Sequence, residues 1–145
     1  MMAREQRLHL PFGRGDIAVR SWHAEAAGLP VVAVHGWMDN AATFDRMAPL
    51  LPGQPFHAID LAGHGFSDQR PPGQRYHNAD YFDDLLAVIE LLHPGQPVTL
   101  VGHSLGAGIS LMLAGLMPER VQRLVLIEGL GPITADPAQD AEQTR

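Results

Sequence analysis

Val98-Thr99-Leu100-Val101-Gly102-His103-Ser104-Leu105-Gly106 is the stretch on which the reading of this chain turns. Val98 to Gly102 is a short apolar run of the kind that forms a strand buried on both faces of a parallel sheet. From Leu105 to Met117, the side chains of Ile109, Met112, Leu113 and Leu116 recur on one side of a helix that stops near Pro118. Between strand and helix, Gly102-His103-Ser104-Leu105-Gly106 fits Gly-x-Ser-x-Gly. A serine on so sharp a turn exposes its hydroxyl, and glycines two residues to either side let strand and helix approach closely. The helix also points its free amides and positive dipole end at that hydroxyl. Short Gly/Ser patterns arise by chance, but this one has its strand and its helix, so Ser104 reads as a nucleophile. Gly106-Ala107-Gly108 is not a dinucleotide loop: the third glycine is missing, and only Glu128 stands at ribose distance.

The flanking elements follow the same logic. Residues 6–10 and 16–22 read as two strands around a Gly13–Gly15 turn, the second alternating Ile17 and Val19 with a more polar set. Pro30 to His35 is a buried strand, and a short helix is expected around Thr43 to Leu51, closed by Pro52-Gly53. Phe56 to Asp60 is a brief strand that opens into the glycine-rich loop Leu61 to Pro72. Tyr81, Leu85, Val88, Ile89 and Leu92 recur at helical spacing across Asn78 to Leu92, with Asn78 or Asp80 as cap and Pro94-Gly95 as stop. Val121 to Ile127 is a last strand, beyond which the sequence is polar and proline-containing. There are no repeats and no internal boundary. The expectation is one α/β domain over residues 1–145, a mostly parallel sheet with helices on both faces, whose functional residues gather beyond the carboxyl ends of the strands.

Composition removes several classes of function. Ten basic residues against sixteen acidic ones give a formal charge of −6, with no basic run, so nucleic acid is not an expected partner. The apolar stretches are too short to span a membrane, and Met1 to Leu10 is too polar for a signal peptide. Cysteine is absent, which excludes disulfides, thiolate metal sites and a cysteine nucleophile; a cytoplasmic protein is the default reading. All ten basic residues are arginine, so a Ser–Lys dyad, a Schiff base and a Walker-type phosphate loop are also excluded. No metal-ligand spacing occurs among the eight histidines, and neither metal nor cofactor is expected.

Two further motifs lie at strand ends. Val34-His35-Gly36-Trp37-Met38-Asp39 follows the Val31 to Val34 run, and Asp60-Leu61-Ala62-Gly63-His64-Gly65-Phe66-Ser67-Asp68 follows the next strand. With the Ser104 turn they resemble, in order and spacing, the α/β-hydrolases over most of residues 16 to 131. His35 to Phe44, together with Ile127-Glu128-Gly129-Leu130-Gly131-Pro132, is similar to the serine-hydrolase-like subgroup. The resemblance implies that the amides of Trp37 and Leu105 form an oxyanion hole and that Ser104 attacks a small acyl substrate. It assigns substrate contacts to His35, Gly36, Trp37, Phe66 and His103. Relatives that open epoxides or displace halides carry aspartate at the elbow, so serine points to an ester, thioester, lactone or amide.

The family order is Ser, then Asp or Glu, then His, yet no histidine follows His103. The resemblance therefore implies a fold truncated after its sixth strand, with the base and the substrate-selecting cap beyond Arg145, and little turnover by these residues alone. Glu128 is the acid candidate within the chain; a solvated rim carboxylate is the competing reading. His35 and His64 are expected to brace loops, His103 to pack as a spacer, and Asp39 and Asp68 to fix loops as acceptors. Three functional readings stay open: ester-type hydrolysis; a non-catalytic small-molecule binder; and acyl transfer, carbon–carbon hydrolysis or perhydrolysis on the same elbow. Without further strands, Val121 to Ile127 would leave an apolar sheet edge prone to self-association.

Overall fold

A computed structural model describes residues 1–129. The family resemblance at Leu130-Gly131-Pro132 and the polar sequence after it lie outside the described residues. Six strands form one sheet in the order β1-β2-β4-β3-β5-β6. They are β1 (Arg4–His9), β2 (Asp16–Trp22), β3 (Val31–Val34), β4 (Phe56–Ile59), β5 (Val98–His103) and β6 (Val121–Ile127); the helices are α1 (Asn78–Leu92) and α2 (Leu105–Leu116). β4, β3, β5 and β6 run parallel, while β1 and β2 are antiparallel to each other and β2 is antiparallel to β4. The mostly parallel α/β sheet is as expected from sequence. β1 begins two residues earlier than the apolar pattern indicated, because Arg4 and Glu5 are exposed and carry no burial signal.

The two apolar strands at the centre explain the layering. β3 is buried at every residue and pairs with β4 on one side and β5 on the other. One face of the sheet gives Val32, Val34, Ile59 and Leu100 to a core with Leu85, Val88 and Ile89 of α1 and Ile109 and Leu113 of α2. The opposite face packs Val31, Ala33, Phe56, Ala58 and Val101 against Trp22, Ala41, Phe44 and Ala48. Here the sequence reading needs correction. The expected helix over Thr43 to Leu51 is two 3-10 turns, Ala41–Phe44 and Ala48–Leu50. Pro49 interrupts the segment, since proline has no amide proton and clashes with the preceding turn of an α-helix. Asn40 caps the first turn by accepting from the Ala42 amide at 2.9 Å.

α1 spans the expected residues, but its cap is His77, whose amide donates to Asp80 Oδ2 at 3.1 Å. Its apolar face also hides a carboxylate. Asp84 is 1% exposed and accepts from Arg14 Nε at 2.7 Å and Arg70 Nη2 at 2.8 Å. Arg14 Nη2 also donates to the Asp80 carbonyl at 2.6 Å. This ion pair ties the β1–β2 turn and the loop after β4 to α1. Among the described residues β6 is an edge strand, with Val125 and Ile127 partly exposed. No described helix is long and apolar enough to cross a membrane.

Candidate active site

The site forms where β3, β4, β5 and β6 end. Ser104 sits between β5 and α2 with φ 51° and ψ −112°, in a region that residues with a side chain rarely occupy. Neighbouring hydrogen bonds fix it there. Its amide donates to the Ile127 carbonyl at 3.0 Å, and its carbonyl accepts from Ala107 at 3.0 Å and Gly108 at 3.2 Å. The two glycines of the motif are sterically required. A Cβ on Gly102 would lie 2.4 Å from the Gly106 carbonyl oxygen, and one on Gly106 would lie 2.1 Å from that of Val34. The residue is exposed, and its hydroxyl makes no hydrogen bond among the described residues.

Three of the five described non-glycine residues with positive φ lie at these strand ends, the other two being Phe12 and His23. Met38 after β3 (φ 55°), Ser104 after β5 (φ 51°) and Glu128 after β6 (φ 51°) all have positive φ without being glycine. Such conformations cost roughly 1–3 kcal/mol each and persist only where the surroundings impose them, characteristically at functional sites. The loop after β3 lies against the elbow: an added Cβ on Gly36 would be 3.3 Å from Ser104 Cβ. Neither the Trp37 nor the Leu105 amide donates a hydrogen bond within the described residues. For Leu105, the first residue of α2, this follows from helix geometry.

Beside the elbow lies an open groove of about 750 Å³, lined among others by Trp37, Met38, His64, Tyr76, Tyr81 and Leu105. Ser104 borders it through Leu105 rather than lining it. Its walls are mainly apolar and aromatic, with Asp39, Asn40, Gln69 and Asn78 as polar groups. Tyr76 and Tyr81 were not picked out from sequence as site residues. Tyr81 belongs to the apolar repeat of α1, and Tyr76 stands alone before it, so neither carried a local signal. The Arg70 guanidinium packs 5.3 Å from the Tyr76 ring centroid and 5.5 Å from that of Tyr81, holding this wall to the buried Asp84.

The residues assigned to substrate contact part company here. Trp37 lines the groove and is 74% exposed. His35 does not reach it: the side chain is wholly buried, with Nε2 accepting from the Leu61 amide at 3.0 Å and Nδ1 lying 2.6 Å from the Gly36 carbonyl oxygen. Burial lowers its pKa from the ordinary 6.5, against the raising effect of its bond to Gly36. Gly36 and His103 lie beside Ser104 and do not line the groove. Phe66 lines a separate hollow of about 350 Å³ with Glu5, Arg7 and Arg20, and its amide donates to Asp60 Oδ2 at 2.8 Å. Glu128 is exposed, and its Oε2 is 3.4 Å from His103 Nε2, a long contact.

Asp60 opens the motif after β4, and its carboxylate is the organiser to which sequence reading gave no separate role. It is 3% exposed; Oδ1 accepts from Ala41 at 2.7 Å, Oδ2 from Phe66, and its carbonyl from the Ser67 hydroxyl at 2.6 Å. One buried carboxylate thus holds the loop after β3 and the loop after β4 together. Asp39 fixes its own loop by accepting from Asn40 at 2.8 Å. Asp68 accepts from the Asp16 amide and from Arg7, and these bonds, the backbone one foremost, lower its pKa. Among the described residues there is no cluster of three or more metal-ligating side chains.

Comparison with known proteins agrees with this geometry. A family model described as alpha/beta hydrolase fold matches residues 30–144. A serine hydrolase-like protein of Danio rerio is 39% identical over 132 residues, covering 89% of this chain and 39% of that one. The crystal structure of a hypothetical protein from Pseudomonas aeruginosa PAO1 is 42% identical, with a TM-score of 0.83 over 96% of this chain and 48% of the other. A thioesterase domain from the curacin biosynthetic pathway is 29% identical, with a TM-score of 0.82 over 99% of this chain and 52% of that domain. The chain therefore spans about two fifths to one half of each of these three relatives.

Proposed function

This chain belongs to the α/β-hydrolase family, and from that premise we propose that it supplies the nucleophile and the oxyanion hole of a serine hydrolase acting on ester-type bonds. The observation that carries the reading is the elbow: an exposed serine held at φ 51° between strand and helix, with two unbonded amides beside it. In this reading a general base takes the Ser104 hydroxyl proton as Oγ attacks the acyl carbon, the carbonyl π electrons move to oxygen, and the Trp37 and Leu105 amides stabilise that oxyanion. Collapse of the intermediate, with the proton passed from the base to the leaving group, expels the alcohol or thiol and leaves an acyl-serine, which water hydrolyses with the same base taking its proton. The apolar groove takes the acyl or alcohol portion. Carboxylic ester, thioester and lactone all fit this chemistry, and the thioesterase likeness keeps thioesters in range.

The reading requires a general base that this sequence does not provide. All eight histidines are among the described residues, and none hydrogen-bonds to the Ser104 hydroxyl. The base is therefore assigned to residues outside this sequence, and Glu128, exposed at the end of β6, is the candidate acid to orient it. The second reading is a small-molecule binder without catalysis, and the open, mainly apolar groove is the observation that favours it. With no further strand on its open side, β6 would serve as a self-association edge.

Treatment of the protein from its native source with a fluorophosphonate probe, followed by intact mass, decides between the two. One adduct, abolished by Ser104→Ala together with hydrolysis of p-nitrophenyl esters, supports the hydrolase. Full esterase activity in Ser104→Ala would end it, and an unlabelled protein that still binds small esters would establish the binder.

A further inference from the structure

We propose that His35 is a positioning residue that sets the oxyanion hole, by holding the Gly36–Trp37 peptide in the one orientation that presents the Trp37 amide beside Ser104. The inference rests on Trp37 being an oxyanion donor and adds what aims that donor. The tautomer follows from the hydrogen bonds. His35 Nε2 accepts from the Leu61 amide at 3.0 Å, so it carries no proton; the proton is then on Nδ1, which donates to the Gly36 carbonyl at 2.6 Å.

The Gly36 carbonyl and the Trp37 amide belong to the same peptide unit. No peptide bond in the described structure is cis, so the two groups point in opposite directions. His35 is wholly buried, and its Nδ1–H draws the carbonyl toward the interior. The Trp37 N–H must then face away from it, on the side where Trp37 and Leu105 line the groove. Turning the peptide over would leave His35 Nδ1–H without its acceptor in the core and would bury the amide. Met38, next in the chain, is already in the left-handed region, so this loop takes a conformation its own preferences do not enforce. Neutral His35 supplies the constraint, and its lowered pKa keeps it neutral. The Leu61 bond, from the end of β4, fixes the ring so that Nδ1 has only one place to point.

Two substitutions separate the bonds. The side-chain nitrogen of asparagine lies near the Nδ1 position and can still donate to Gly36; the side-chain oxygen of glutamine lies near Nε2 and can still accept from Leu61. In the full natural chain, both His35→Asn and His35→Gln are expected to lower Tm. His35→Asn should keep the peptide orientation in a crystal structure and restore most of the activity toward p-nitrophenyl butyrate. His35→Gln should show the peptide turned or in two orientations, with kcat lower by about 10²–10³, the effect of losing one oxyanion donor, and KM little changed. An inward Gly36 carbonyl and intact kcat in His35→Gln would overturn the proposal, as would equal losses in both variants that follow Tm. If neither variant folds, nitrogen-15 NMR of the unsubstituted protein still decides: an Nδ1–H tautomer and a fast-exchanging Trp37 amide support it, and an Nε2–H tautomer or a protected amide defeats it. An unaltered esterase in Ser104→Ala would reject the hydrolase reading instead, and the crystal structures would still report what His35 holds.

Discussion

Mild acid should destabilise this protein through one buried histidine. His57 on β4 is 4% exposed, with Nδ1 2.8 Å from the Ser21 hydroxyl and its ring packed 5.0 Å from that of His93. Burial, and then repulsion from His93, lower its pKa from 6.5 to about 4. Unfolded, His57 takes up a proton as the pH falls through 6.5; folded, it resists until about 4. In that window the unfolded state binds more protons, so stability is present above pH 6.5 and is lost progressively toward pH 4. The full difference is worth roughly 3 kcal/mol, and about 2 kcal/mol of it is lost between pH 7 and pH 5. Urea denaturation at those two pH values reads the loss directly. His57→Asn keeps a group near Nδ1 for Ser21 but cannot ionise, so it should remove about 2 kcal/mol of the pH dependence, whatever it costs at pH 7. A remaining slope of the same sign is expected from His35 and His93, whose pKa values burial also lowers. If His57→Asn and the unsubstituted protein lose stability equally between pH 7 and pH 5, the assignment is wrong.

Three other substitutions test the packing around the site. Asp84→Ala strands the buried Arg70 guanidinium and should cost about 3–5 kcal/mol in chemical denaturation, far more than an exposed ion pair would. Gly106→Ala places a methyl group against the Val34 carbonyl, where backbone must move, and should cost about 1–3 kcal/mol or more in the same assay. Asp60→Asn keeps size but points an amide at one of two backbone donors; a loss of about 1–3 kcal/mol should accompany faster hydrogen exchange at Ala41 and Phe66.

The linear sequence determined the element order and the turn that carries Ser104. Buried strands such as Val31–Val34 and Val98–His103 declare themselves as short, mainly apolar runs, and the repeat from Tyr81 to Leu92 can only be one helix face. The Ser104 elbow is equally local, since strand, turn and helix lie within a few residues. What the tertiary structure decided is which side chains meet. Strand order β4-β3-β5 sets Leu61 against His35 and the end of β3 against Ser104, residues far apart in the chain. Nothing local in Asp84 foretells that Arg14 and Arg70 will neutralise it inside a helix face, and nothing local in Phe66 foretells that it will line the hollow beside β1 and β2 and not the groove. Periodicity reports burial, which a residue's own neighbours in sequence can encode; partnership depends on how the sheet brings distant segments together.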